Sequence, residues 1–98
     1  MLFMLTARFK DSWYALSPKK QGEIMNGTQQ YMERLSKAGK IKEVYFVGNM
    51  KEAIVIFDLK SSEDLVRVAD ESPTFPFVDA ELKPLVEMDV AQKARAKK

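Results

Sequence analysis

The chain contains no cysteine and no histidine. Without cysteine it can form no disulfide, use no thiolate nucleophile and hold no cysteine-ligated metal. Without histidine it lacks the commonest general base and the commonest metal ligand, so a Ser-His-Asp triad and a histidine metal site are excluded. Its carboxylates do not cluster at a metal-ligand spacing, and no Walker or Rossmann fingerprint is present. Any catalysis must therefore use carboxylates, tyrosines, lysines, arginines or hydroxyls, and we expect no metal site.

The sequence also lacks a long apolar run. No stretch approaches the length of a membrane span. The apolar start at Met1–Leu5 has no basic region before it and is soon interrupted by Thr6 and Arg8, unlike a signal peptide. We therefore expect a soluble protein in the cytoplasm, with no membrane partner.

Net charge is small and unevenly placed. The total is +2, and residues 93–98 hold four positive charges and no negative one, which leaves the rest of the chain at −2. A nucleic-acid binder is expected to carry a basic face on its folded part, so we expect no nucleic-acid partner. A short basic run at a chain end is usually solvated. We predict one domain over residues 1–88 and a basic C-terminal tail over 89–98.

Strand and helix patterns alternate along the chain. One helix is predicted from the Ser17-Pro18 start to about Ala38, with Gly39 as its stop, and a shorter one begins at Ser61 or Ser62. Residues 11–16 are predicted to form a loop. The predicted strands, assigned from alternation or from short apolar runs between turn signals, are 2–10, 41–47, 53–59 and 78–86.

The order β-α-β-β-α-β predicts an α+β fold of the split β-α-β, or ferredoxin-like, type. Its antiparallel four-stranded sheet has the first and third strands in the centre. Those two strands are apolar on both faces, whereas the last alternates and carries Pro84, which suits an edge. Two helices cover only one face, so the other needs a partner, and the simplest is a second copy of the same sheet. We predict a homodimer with facing sheets, a dimeric α+β barrel.

Asp79 is the first candidate for chemistry. It opens the last strand and could point between the facing sheets, beside Phe75 and Phe77, where partial burial would suit a general acid or base. The alternative is a turn or edge aspartate that accepts backbone hydrogen bonds. Arg8, on a central strand, could hold a substrate carboxylate, or it could pair with Asp79 or Glu81 on the neighbouring strand.

Four further side chains are candidates from residue type and position. Tyr31 and Tyr45 could donate hydrogen bonds to an oxygen that gains charge, although each also suits a core position with a bonded hydroxyl. Glu23 lies off the apolar stripe of its helix, which favours a solvated surface position. Trp13, in the first loop, could cover a pocket or seal the edge of the dimer.

The most specific pattern is residues 73–82. They read Pro-Thr-Phe-Pro-Phe-Val-Asp followed by Ala-Glu-Leu. A Pro-x-Phe-Pro-aromatic-x-Asp run that opens the last strand is typical of the muconolactone isomerase family, which the chain resembles from its first strand to about Val86. Further matching pieces, with similar spacing, are the opening Met-Leu-Phe, Ser17-Pro18 with Glu23 six residues on, Gly39-Lys40 and Phe57-Asp58.

The resemblance implies a dimeric barrel that can assemble into larger rings of dimers, and a cofactor-free reaction. Family enzymes move a proton to shift a double bond in an unsaturated lactone bearing a carboxylate, during catabolism of aromatic compounds. By role, the resemblance implies Asp79 or Glu23 as base, Tyr45 or Tyr31 as donor to the enolate oxygen, and Arg8 or Lys42 as the cation for the carboxylate. The predicted substrate-binding side chains are Arg8, Tyr31, Lys42, Phe75, Phe77 and Trp13.

The chain departs from the family around the second strand and hairpin. The isomerases tend to carry arginine, histidine and extra aromatic residues there, whereas this chain has Lys42, Glu43, Asn49, Met50 and Lys51. Three functions are therefore compared: a proton-transfer isomerase, other chemistry on the same barrel such as a cofactor-free monooxygenase, and a small-molecule-binding or assembly protein without turnover. An open pocket with an unpaired carboxylate would favour the first, and a filled cavity with Asp79 neutralised by Arg8 would favour the third.

Overall fold

The computed structural model describes residues 1–97, so Lys98 of the predicted basic tail lies outside the described part. The strands are β1 (Leu2–Phe9), β2 (Ile41–Phe46), β3 (Glu52–Asp58) and β4 (Val78–Leu85). The helices are α1 (Asp11–Tyr14), α2 (Pro18–Lys37), α3 (Ser62–Glu71) and α4 (Met88–Ala96), and a short 3-10 helix (Phe75–Phe77) precedes β4.

The four strands form one antiparallel sheet in the order β2-β3-β1-β4. Strands β1 and β3 are therefore central and β2 and β4 are edges, as the strand patterns predict. Pro84 lies on the edge strand β4, opposite Phe3 of β1. A proline has no amide proton to donate to a ladder, and only an edge strand tolerates that loss on its outer side.

Helix α2 begins and ends where its sequence predicts. The Ser17 side chain accepts a hydrogen bond from the Lys20 amide at 3.1 Å, which satisfies one free donor of the first turn. At the other end, Gly39 adopts a φ of 75° and the Lys40 amide donates to the Leu35 carbonyl at 2.9 Å. This Schellman arrangement needs a left-handed residue, which explains the glycine.

Helices α2 and α3 both pack on the same face of the sheet. Ser61 caps α3 by accepting a hydrogen bond from the Asp64 amide at 3.2 Å. The core lies between these helices and the sheet. It consists of Tyr31 and Leu35 of α2, Val68 of α3, Val55 and Phe57 of β3, and Leu59. Leu59 and Phe57 are almost fully enclosed, at 0% and 1% exposed.

The segment predicted as a loop, residues 11–16, contains one helical turn, α1. The Ala15 amide donates to the Asp11 carbonyl at 3.1 Å. The turn brings Trp13 back onto the end of β1, where its ring stacks on Phe9 with centroids 4.8 Å apart. Burial of that large ring supplies the driving force for a turn that residue-by-residue propensity does not predict.

The predicted tail is largely helical. Helix α4 buries none of its residues, and Met88 and Val90 are exposed. The molecule is consequently elongated, with extents of 55 × 27 × 21 Å. None of the helices within residues 1–97 combines the length and the apolar character that a membrane-spanning helix requires.

Candidate functional site

A cavity of about 720 Å³ lies between the sheet and helices α2 and α3. Its walls come from all four strands, from both helices and from the segment that precedes β4. Protein interiors hold few voids larger than a water molecule, so this space exceeds an ordinary packing defect. Its volume falls within the roughly 300–1,000 Å³ that is typical of small-molecule sites.

Three alanines form the floor of the cavity. Ala7 of β1 pairs with Ala53 of β3 on one side and with Ala80 of β4 on the other, and all three line the cavity. Residues directly opposite in an antiparallel sheet share a face and lie about 4.5–5.5 Å apart. We call this set of methyl groups the alanine row. The adjacent pair on the same face, Leu5 and Val55, carries branched side chains that fill the core.

Tyr31 of α2 is a buried residue that lines the cavity, with 4% of the residue exposed. The hydroxyl donates to the Arg67 carbonyl at 3.5 Å, which is at the outer limit for a hydrogen bond. Burial and, after it, the negative charge of Glu71 raise the pKa of Tyr31 from 10.0 to about 12. At neutral pH only roughly one molecule in 10⁵ would be ionised. Tyr31 is therefore neutral at this pH and can donate a hydrogen bond.

The other polar groups of the wall are uncharged. Thr28 donates to the Ile24 carbonyl at 2.9 Å, and Ser72 and Thr74 share a hydrogen bond of 3.2 Å. Asn26 and Gln29 are further polar lining residues of α2; the remaining lining is apolar. Among residues 1–97, no aspartate, glutamate, lysine or arginine lines the cavity.

An aromatic group supports one end of the cavity. Phe9 lines it, and Trp13 stacks on Phe9 with an interplanar angle of 20°. The Phe77 ring lies 6.1 Å from Trp13 in an edge arrangement. The Trp13 carbonyl accepts a hydrogen bond from the Gln21 side chain at 2.9 Å, which ties α1 to α2. Trp13 and Phe77 thus brace a wall residue from behind, whereas Phe75 lines the cavity itself.

Asp79 and Arg8 lie together on the opposite face of the sheet, away from the cavity. They are direct cross-strand partners on β4 and β1. On its other side Arg8 pairs with Glu52, with 3.9 Å between Nη1 and Oε1. A shallow depression of about 220 Å³ is bordered by these three residues together with Glu81. Arg8 is thus surrounded by carboxylates, and the ion pair found there is exposed.

The remaining predicted site residues lie neither at the cavity nor at the depression around Arg8. The Tyr45 hydroxyl donates to Glu43, and that carboxylate raises the pKa of Tyr45. Lys42 Nζ lies 3.8 Å from Asp58 Oδ2. Glu23, on the outer side of α2, lies 4.0 Å from the Lys20 ammonium nitrogen. The fold therefore places Tyr31 and Phe75 at the cavity, and Arg8 with Asp79 on the face of the sheet opposite the helices.

Two features of the site are not predicted by the sequence. The alanine row joins residues from three strands, and only the register of the sheet aligns them. Glu71 ends α3 immediately before Ser72, and its negative charge acts on Tyr31 of another helix because the two helices lie side by side on the sheet. The sequence contains one signal for the alanine row: Ala7 and Ala80 fall on the inward side of their strands.

Comparison with known proteins identifies the family. The family model described as muconolactone delta-isomerase matches residues 1–90. The chain belongs to the muconolactone delta-isomerase family. The resemblance found in the sequence is thereby confirmed.

Two relatives illustrate the relationship. The chain is 30% identical over 70 residues to a muconolactone delta-isomerase of Rhodococcus opacus, a match that covers 71% of this chain and 75% of the relative. It also superimposes on a crystal structure of muconolactone isomerase with a TM-score of 0.76 at 21% identity, covering 89% of this chain and 90% of that one. The structural match confirms the predicted α+β fold.

Proposed function

We propose that this protein is a cofactor-independent isomerase that moves a proton within a small unsaturated lactone held in the cavity. The main observation that supports this proposal is an open, largely apolar cavity lined in part by the neutral Tyr31. A double-bond shift next to a carbonyl passes through an enolate, whose oxygen gains negative charge. A fixed neutral donor stabilises that oxygen more than it stabilises the starting carbonyl. Family membership supports the reaction type.

The proposed proton acceptor is Glu71, which does not itself line the cavity, so its side chain would have to turn inward to reach a bound lactone. The Glu71 carboxylate acts on the Tyr31 hydroxyl, and its neighbour Ser72 lines the cavity. Glu71 would take a proton from one carbon of the lactone and return it to another, so that one C–H bond breaks, another forms and the double bond moves. Asp79, which with Glu23 is one of the two bases implied by the family resemblance, lies on the opposite face of the sheet and is the competing assignment.

Proton exchange tests the proposal. The full chain is incubated in heavy water with muconolactone or with its neutral methyl ester, and deuterium incorporation and isomerisation are followed by NMR. Tyr31→Phe is expected to lower the rate by about 10²–10³-fold, as for loss of one oxyanion donor. Tyr14→Phe, which alters an exposed tyrosine, is the matched control.

Two further variants separate the candidate bases. Glu71→Gln is expected to abolish exchange while Asp79→Asn retains it. The opposite result would move the chemistry to the face of the sheet that lies opposite the helices. No exchange above the protein-free blank with either lactone would reject the isomerase assignment.

A second candidate function is small-molecule binding without turnover. It is favoured by one observation, that within residues 1–97 no ionisable carboxylate lines the cavity. Saturable binding of a lactone in the absence of any exchange would favour this function over the isomerase.

A further inference from the structure

We infer that the cavity selects an uncharged, mostly apolar molecule with one accepting oxygen, and that it discriminates against carboxylates. The inference specifies the class of substrate for the proposed function, and in that sense it rests on the proposed function. It concerns binding alone, so it can be tested whether or not turnover occurs.

The first argument is the absence of a counter-ion. Among residues 1–97, no lysine or arginine lines the cavity, and the alanine row gives it an apolar floor. A carboxylate that leaves water for such a space loses its hydration and gains no ion pair in return. A neutral ester or ketone avoids most of this penalty and gains from burial of its apolar surface.

The second argument concerns three cations of the surrounding elements, each of which is engaged elsewhere. Lys40 Nζ lies 3.6 Å from the Asp64 carboxylate. Arg34 lies over the Tyr31 ring, with its guanidinium carbon 5.6 Å from the centroid. Arg8 is on the far face of the sheet beside Glu52. None of these groups meets a ligand carboxylate without breaking an existing contact or crossing the sheet.

The third argument concerns the sign of the charge next to the donor. The carboxylate that acts on Tyr31 is Glu71, which repels an anionic ligand at this position. A neutral carbonyl oxygen can accept the single Tyr31 hydroxyl proton, in place of the long 3.5 Å contact to the Arg67 carbonyl, without that repulsion. The donor therefore selects a neutral acceptor, and the body of the ligand would lie across the alanine row.

Tryptophan fluorescence provides the binding assay. Trp13 is the single tryptophan of the chain, and it stacks on the cavity-lining Phe9. The intact protein is titrated with muconolactone and, separately, with its methyl ester, and calorimetry repeats both titrations without depending on the fluorophore. We expect the ester to bind at least about tenfold more tightly, because it avoids the unpaired charge.

A charge placed in the cavity gives a sharper test. Asn26→Lys puts a cation among the lining residues, and it is expected to narrow or reverse the preference for the ester. Gln30→Lys adds the same charge to an exposed position of α2 that does not line the cavity, and should leave the preference unchanged. An Asn26→Lys protein with the wild-type preference would contradict the inference.

The outcomes distinguish this inference from the proposed function. Tighter binding of the ester without any proton exchange would support the inference and reject the isomerase. Equal or tighter binding of the acid would overturn the inference, even if the acid is isomerised. No binding of either compound would also overturn it, since the inference requires the ester to bind.

Discussion

Burial of Tyr31 makes the folded protein less stable as the pH becomes alkaline. The unfolded chain loses this proton near pH 10.0, whereas the folded protein holds it to about 12. The unfolded state therefore binds fewer protons between these values, and stability falls as pH rises through them. The stabilisation is fully present below pH 10.0, and about 2–3 kcal/mol of it is lost by pH 12.

Urea unfolding across this pH range measures the effect. Tyr31→Phe is expected to flatten the alkaline decline in the free energy of unfolding by that amount, because the ionising group has gone. Tyr14→Phe keeps every lysine and every other tyrosine, so it controls for their titration and should retain the wild-type slope. Equal slopes in the two variants would show that the Tyr31 hydroxyl is not protected in solution.

At the residue scale, two of the predicted substrate-binding side chains lie at the cavity, and their binding roles stay predictions. Tyr31 and Phe75 line the cavity. Asp79 and Arg8 are neighbours, which was one of the open alternatives, but they lie on the other face of the sheet. Glu23 is a surface residue of α2, the alternative that its place off the apolar stripe favoured. Periodicity predicts which face of an element is apolar, not what lies opposite that face.

At the scale of elements, two glycines of the α2 region respond oppositely to alanine. Gly39 has a φ of 75°, and Gly39→Ala is expected to cost about 1–2 kcal/mol because an L-residue is strained there. Gly22 lies inside the helix, and no heavy atom lies within 4 Å of the position that a Cβ would take, so Gly22→Ala should stabilise by about 0.5–1 kcal/mol. Chemical denaturation of the two variants gives both values. Stabilisation by Gly39→Ala would be inconsistent with the Schellman end of α2.

The alanine row predicts that one side chain can close the cavity. Ala7→Leu adds three carbons that project from the floor, and at about 0.8 kcal/mol per buried methylene it should leave stability unchanged or raise it by up to about 2 kcal/mol. Binding of the lactone ester should be lost. Thr6→Leu adds a similar side chain on the opposite face of the same strand and should leave ester binding intact. Wild-type affinity in Ala7→Leu would place the ligand elsewhere.

At the scale of the whole molecule, the face opposite the helices is uncovered in the single chain. We call it the open face; its residues are Leu2, Met4, Thr6, Arg8, Glu43, Tyr45, Glu52, Ile54, Ile56, Asp58, Asp79, Glu81, Lys83 and Leu85. Its central side chains, including Ile54 and Ile56, are apolar and only half-buried. A homodimer through this face remains a prediction.

The dimer can be tested by disrupting the centre of the open face. Ile54→Lys is expected to convert the dimer to a monomer, because facing sheets would bring two buried ammonium groups together. Light scattering after gel filtration measures the mass. Val66→Lys, at an exposed position of α3, should leave the mass unchanged. A wild-type protein that is monomeric at all concentrations tested would contradict the prediction.

The sequence by itself determined the order of elements, the central and edge strands and the ends of α2. These features follow from local signals: alternation in the strands, a serine cap, a glycine that accepts a left-handed φ and a proline that only an edge tolerates. The family pattern in residues 73–82 is likewise readable without a structure.

Only the tertiary structure decided where a ligand would fit. The cavity depends on the register that aligns Ala7, Ala53 and Ala80 across three strands, and on the packing that brings Glu71 to Tyr31. The turn at α1 likewise depends on a surface outside its own segment, because Trp13 is buried against Phe9 and Phe77. Most of these contacts join residues far apart in the chain, and no local spacing encodes them. Which residues line the cavity therefore depends on how the sheet and the helices α2 and α3 pack together.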